Sequence, residues 1–127
     1  NNIKHVVRLC KPTYDSLQIE NESIRFYELE IPDGTVPNKQ QIEQWNNIVD
    51  NVLDDEGILV HCVAGLGRAP FMVTLSLINE NLEPYQAIEL VRKHRPGSIN
   101  SKQLGFLMNY KPNKKKAFFL FKFLICK

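Results

Sequence analysis

The run Gly57–Cys62 (GILVHC) is an unbroken apolar stretch that ends in a cysteine and passes directly into a glycine-containing loop. A short continuous run of this kind is a strand that a parallel sheet buries on both faces. Parallel strands need long crossover connections, usually helices, so this segment alone predicts an α/β fold. The rest of the chain agrees. Ile3–Leu9 reads as a short buried strand and Ile24–Ile31 as another. Lys11–Asp15 and Pro32-Asp33-Gly34-Thr35-Val36-Pro37 hold turn formers and read as loops. From Asn38 onward Ile42, Trp45, Ile48, Val49, Val52 and Leu53 recur at helical spacing, and Gly57 is expected to stop that helix. After the glycine loop, Pro70 fits the first turn of a helix carrying Phe71 to Glu80. Pro84 opens another helix, with Ala87, Ile88 and Val91 on its apolar face, and Asn100 or Ser101 caps a last one through Tyr110. The expected organisation is one domain over 1–110 followed by a basic and apolar tail over 111–127, with no internal repeat.

Bulk properties narrow the function classes. A chain of 127 residues holds one core rather than two. Its three cysteines (Cys10, Cys62, Cys126) form no CxxC pair, which argues against a disulfide scaffold and a zinc site and for a reducing, intracellular setting. No signal-peptide pattern is read at the N-terminus. The longest apolar stretch, Ala117 to Ile125, is broken by Lys122 and falls well short of the roughly 20 residues that span a bilayer. No metal, no cofactor and no nucleic-acid partner is expected.

The loop after the strand carries the chemistry. In His61-Cys62-Val63-Ala64-Gly65-Leu66-Gly67-Arg68 the cysteine and arginine stand in C-x5-R spacing at a strand-to-helix turn. Helix N-termini and converging amides lower a cysteine pKa, so Cys62 is expected to be a thiolate nucleophile at neutral pH. Gly65 and Gly67 allow the backbone to turn its N–H groups, from Val63 through Arg68, toward one anion. Arg68 can clamp two phosphate oxygens with its planar fork, and charge developing in the transition state then meets groups already in place. The leaving oxygen needs a proton. Asp33, in the Pro-Asp-Gly loop, is the best candidate general acid, and Gly34 and Pro37 would make that loop a flap. Asp15 and Asp50 are weaker rivals. His61 is expected to orient the loop rather than act as a base.

At these residues a resemblance becomes specific. His61-Cys62 with Arg68 is the signature of the protein tyrosine phosphatase superfamily, and VHCVAGLGRAP (Val60–Pro70) resembles the phosphatase of regenerating liver, or PRL, family. VVRLCKPTYD (Val6–Asp15), NSKQL (Asn100–Leu104) after an Arg-Pro-Gly turn, and Pro-Asp-Gly before a Trp-bearing helix fit the same family. The resemblance implies a small, mostly parallel central sheet flanked by helices, of the dual-specificity phosphatase type and short of N-terminal strands that would precede Asn1. It implies a phosphoprotein or phosphoinositide substrate. Ala69 stands where most of the superfamily has Ser or Thr, which implies slow release of the phosphocysteine. Cys10 matches a cysteine that forms a reversible disulfide with the nucleophile, Cys62 here. The resemblance also implies a partner, the cytosolic CBS-pair domain of cyclin M magnesium transporters.

Two features depart from the family. A basic stretch is present (Lys111, Lys114, Lys115, Lys116), but Cys126 is followed by one residue, so no CaaX prenylation box is present as written. The tail could instead lie on an anionic membrane surface at its cytosolic face. Pro32 immediately precedes Asp33, so the acid loop lacks the family's aromatic and second aspartate. Two other readings compete with a slow phosphatase. One is a binding module on a phosphatase-like surface, which Ala69 would favour. The other is a rhodanese-like sulfurtransferase, which C-x5-R with an upstream Asp33 fits less well.

Overall fold

A computed structural model describes residues 2–11, 23–63 and 67–112, together with the backbone of 123–126. Strand β1 (Ile3–Arg8) lies between β2 (Arg25–Glu28) and β3 (Gly57–His61), and β4 (Phe123–Cys126) pairs with the far side of β3. Every pairing among these strands is parallel. Arg8 aligns with His61, so β1 and β3 end level with one another. The chain leaves β1 for β2 on one side and then crosses to β3 on the other. The strand order therefore reverses between β1 and β3. In open α/β sheets the crevice beyond the carboxyl ends at such a reversal is where ligands bind, and Cys62 stands there.

The α/β class is as expected, with local differences. In β3, Ile58 and Val60 are fully buried, whereas Leu59 and His61 on the opposite face are half-buried. The second strand is shorter than Ile24–Ile31. Beyond Glu28 its backbone still donates to β1, from Leu29 N–H to the Arg8 carbonyl and from Ile31 N–H to the Leu9 carbonyl, both at 2.9 Å. Of the Lys11–Asp15 loop, residues 12–15 lie outside the described residues.

Helix α1 (Lys39–Asp50) begins with a capping box. Asn38 accepts from Gln41 N–H, and Gln41 Oε1 accepts from Asn38 N–H, each at 2.8 Å. It ends at Asp50, well before Gly57. The cause is Asn51, whose side chain donates to the Asn47 carbonyl at 2.9 Å while its own N–H turns to Ile48. A side chain competing for helix carbonyls in this way ends regular turns. Leu53, expected on the buried face, is exposed as a result.

Helix α2 (Arg68–Asn79) is the centre of the molecule and is buried from Arg68 to Ile78. Its two buried hydroxyls are paired: Thr74 Oγ1 donates to the Pro70 carbonyl, and Ser76 Oγ accepts from Trp45 Nε1 of α1. Helix α3 (Pro84–His94) starts at Pro84 and buries Ala87, Ile88 and Val91, as its spacing predicts. Helix α4 (Ser101–Asn109) is capped by Asn100. One core joins these elements. Burial of each of Phe71, Met72 and Leu75 on α2 contributes about 1.5–3 kcal/mol.

The tail differs most from expectation. Phe123–Cys126 lies in register beside Ile58–His61 as an outer strand rather than trailing from the domain. The physical reason is that β3 would otherwise present a row of unpaired backbone groups, and a β-rich apolar segment can supply the missing ladder. Among the described residues, no helix is long and apolar enough to cross a membrane.

Candidate active site

The carboxyl end of β3 delivers the cysteine. Leu9 N–H donates to the His61 carbonyl at 3.0 Å, which holds the strand's last residue to β1, and Cys62 follows, buried and unpaired as a free thiol. Val63 projects into solvent. The expected phosphate amides of Ala64, Gly65 and Leu66 lie outside the described residues. Gly67 closes the loop as the N-cap of α2, and no side chain caps that helix start. The positive end of the α2 dipole is thus left to whatever anion sits before it.

Arg68, the first residue of α2, is 93% buried by its 7% relative exposure. Its Nη1 donates to the Ile31 carbonyl at 3.0 Å. Its Nε has no acceptor among the described residues. Nη2 stands 3.7 Å from Asp33 Oδ1, an ion-pair separation too long for a hydrogen bond. One corner of the guanidinium is therefore fixed to backbone while the Nε/Nη2 edge remains for a fork onto two oxygens. Fixing one corner orients the other edge.

The same arginine organises the Asp33 loop. Ile31 is bonded both to Leu9, just past β1, and to Arg68, and Gln41 Nε2 of α1 holds the Glu30 carbonyl at 3.0 Å. Beyond that base, Thr35 N–H closes a turn on the Pro32 carbonyl at 3.2 Å, with Gly34 at φ 75°. A third turn position with positive φ favours glycine. Asp33 sits at the tip with its side chain 88% exposed. The structure thus brings Asp33 beside Arg68, from a turn anchored on three elements. Of its rivals, Asp15 lies outside the described residues, and Asp50 is at the exposed end of α1.

His61 and Cys10 complete the crevice. Burial, with the Arg8 charge beside it, pushes the His61 pKa below the ordinary imidazole value, so this ring is neutral at physiological pH. A neutral ring supplies no cation beside Cys62. Cys10 is buried and free just past the end of β1, the strand next to the one that carries Cys62. No metal-holding cluster of His, Cys, Asp or Glu occurs among the described residues.

Sequence reasoning did not assign two contributors. The Ile31 carbonyl has no sequence signal, since any residue supplies one. Gln103 is assigned no role from sequence, although its spacing from Asn100 is that of a capping box. Only the fold sets its amide against Gly67.

A strand-end thiol, a buried guanidinium on the first helical turn and a carboxylate facing it define the class of cysteine-dependent protein tyrosine and dual-specificity phosphatases. Comparison with known proteins gives the same class. The family model described as "Tc-R-P: Polymorphic toxin system, DSP-PTPase phosphatase" matches residues 1–81. A Leishmania major structure assigned as a protein tyrosine phosphatase superposes with TM-score 0.75 at 34% identity, over 87% of this chain and 74% of that one. Tk-PTP in its active form gives TM-score 0.74 at 26% identity, over 84% and 76%.

Sequence relatives narrow the class. The chain is 42% identical over 115 residues to the PRL-1 phosphatase of Drosophila melanogaster, covering 88% of this chain and 65% of the relative. It is 41% identical to protein tyrosine phosphatase type IVA 3 of Bos taurus, covering 89% and 67%. With protein tyrosine phosphatase PRL-1 of Trypanosoma cruzi it shares 39% identity, covering 91% and 68%. The chain belongs to the PRL, or type IVA, family of protein tyrosine phosphatases. It spans about two thirds of the length of these relatives, and just under that for the fly protein.

Proposed function

We propose that this chain hydrolyses phosphomonoesters of proteins through a cysteinyl phosphate on Cys62. The observation that carries the reading is the Arg68 guanidinium, buried with one corner fixed on the Ile31 carbonyl and its Nε without an acceptor among the described residues, on the first turn after the Cys62 loop. In the first step the Cys62 thiolate attacks phosphorus, the P–O ester bond breaks, and the leaving oxygen takes a proton from Asp33. In the second, water attacks phosphorus, its proton passes to the Asp33 carboxylate, and the S–P bond breaks to release inorganic phosphate and the thiolate. Val63, Ala64, Gly65, Leu66 and Gly67 supply backbone donors to the phosphoryl oxygens, and Arg68 supplies the fork. Ala69, buried next to Arg68, offers no hydroxyl to the departing thiolate, so the second step limits turnover.

Three finer readings belong to the same proposal. Mild oxidation joins Cys10 to Cys62: a peroxide oxidises the two thiols to a disulfide and is itself reduced, protecting the nucleophile from over-oxidation. The substrate is a phosphoprotein, with phosphoinositides as the alternative anionic ester. The basic stretch at Lys111 and Lys114–Lys116 holds the protein at the cytosolic face of anionic membranes, where a cyclin M-type magnesium transporter would be its partner. Family resemblance supports that partner.

The test is a rapid-mixing assay with an aryl phosphate. The reduced protein should release phenol in a burst equal to the enzyme concentration, followed by a slow steady state, and Cys62→Ser should abolish both. Absence of burst and turnover in folded, reduced protein would overturn the proposal.

A further inference from the structure

Gln103 lies in the first turn of α4 and is fully buried. Its Oε1 accepts the Asn100 N–H at 2.9 Å, while its own N–H donates to Asn100 Oδ1 at 2.8 Å. This capping box occupies the oxygen end of the amide. The nitrogen end, Nε2, has no partner among the described residues. A Cβ built on Gly67 would stand 3.5 Å from Nε2 and 3.9 Å from Oε1. The amide therefore packs against the residue that closes the Cys62 loop and heads α2.

Two things make this placement more than a helix cap. The amide cannot exchange its ends without putting an N–H against the Asn100 N–H, so the cap forces a donor toward the loop. A buried donor without an acceptor is also costly, whereas an apolar side chain would fill the same space without that cost. The segment before α4 is held firmly as well. Ile99 adopts φ 66°, a conformation that a β-branched residue rarely takes. Arg92 of α3 clamps the carbonyls of Ser98 and Ile99 at 3.1 and 2.8 Å.

We propose that Gln103 is a positioning residue for the phosphate-binding loop. Its Nε2 donor, free among the described residues and set against Gly67, steadies the loop there when a phosphoryl dianion is bound, and so links α4 to phosphate capture. The proposal rests on reading the Cys62 loop as a phosphate site, and the test separates the two. Orthovanadate, a phosphate analogue, is titrated against the full chain and three variants, with thermal melting of the anion-free proteins measured in parallel. Gln103→Glu adds a charge near neutral pH, keeps the oxygen that caps α4 and removes the donor. Gln103→Met removes both. Asn100→Ala weakens the cap and leaves the donor.

Gln103→Glu should weaken vanadate binding about tenfold to a hundredfold near neutral pH, because the loop loses its buried donor and a carboxylate stands beside the anion site. Its deficit relative to wild type should shrink in acid, because a protonated carboxyl regains a donor. Asn100→Ala should lower the melting temperature with vanadate affinity retained. Vanadate affinity of Gln103→Glu within twofold of wild type at every pH overturns the positioning role. Should Gln103→Glu fail to fold, Gln103→Met decides in the same way, by weaker or unchanged affinity. Failure of wild type to bind vanadate overturns the phosphate site itself.

Discussion

Replacing Arg68 by lysine keeps the charge and removes the geometry. In the native chain Nη1 is committed to the Ile31 carbonyl at 3.0 Å, and Nη2 stands 3.7 Å from Asp33 Oδ1. A lysine ammonium is a point donor that cannot hold a carbonyl behind it and two oxygens before it. One charge-assisted bond must be given up, at about 1.5–3 kcal/mol, or roughly tenfold to a hundredfold in affinity. If the ammonium turns to the anion, the Ile31 carbonyl loses its donor and the acid turn loosens. If it stays on Ile31, the fork is lost. Calorimetric titration with vanadate should therefore show weakened binding together with a lowered melting temperature. With aryl phosphates, the burst rate should fall more for poor leaving groups than for good ones, because Asp33 is no longer held. Arg68→Lys with vanadate affinity within threefold of wild type and an unchanged melting temperature would refute the two-sided role of this guanidinium.

Other outcomes follow from the same geometry. Asp33→Ala should slow the burst with phenyl phosphate far more than with an activated aryl ester; equal slowing assigns the proton to another group. Ala69→Ser should raise the steady-state rate while leaving burst amplitude unchanged. After mild peroxide, mass spectrometry should find a Cys10–Cys62 disulfide, absent from Cys10→Ser. Acid sensitivity should trace partly to Glu56, whose carboxylate accepts from His5 and the Leu53 N–H and is held below its ordinary pKa. A lowered native pKa means that the unfolded chain binds the proton first. That stability is present above the ordinary value of about 4.5 and is lost as pH falls through the native value. Acid denaturation followed by circular dichroism should show a shallower pH dependence for Glu56→Gln.

How much of this was legible beforehand depended on how local each signal was. The strand leading into Cys62, the C-x5-R loop and the helix after it are contiguous, so apolar patterning and residue spacing located them. Pro84 and Asn100 marked their helices because capping acts within one turn. The end of α1 escaped because Asn51 stops it with a side-chain bond back to Asn47, a competition that apolar spacing does not register. β4 escaped because Lys122 and the preceding lysines gave its segment the look of a solvated tail; only the open side of β3 makes it a strand. Asp33 was legible as a candidate, but the tie through Ile31 that sets it beside Arg68 passes through a backbone carbonyl, which carries no residue identity.

The pairing of β3 with β4 also bears on how the molecule assembles. Ile58–His61 must wait for Phe123–Cys126 before its second edge is covered, and all of α2, α3 and α4 lie between them. Closing so long a loop costs more entropy than joining neighbours, and folding slows as contacts become more distant in sequence. During synthesis the strand that leads into Cys62 therefore stands as a bare sheet edge until Phe123–Cys126 emerges. Such edges are prone to pair with other chains, so Phe123–Cys126 guards the strand that leads into Cys62 against aggregation.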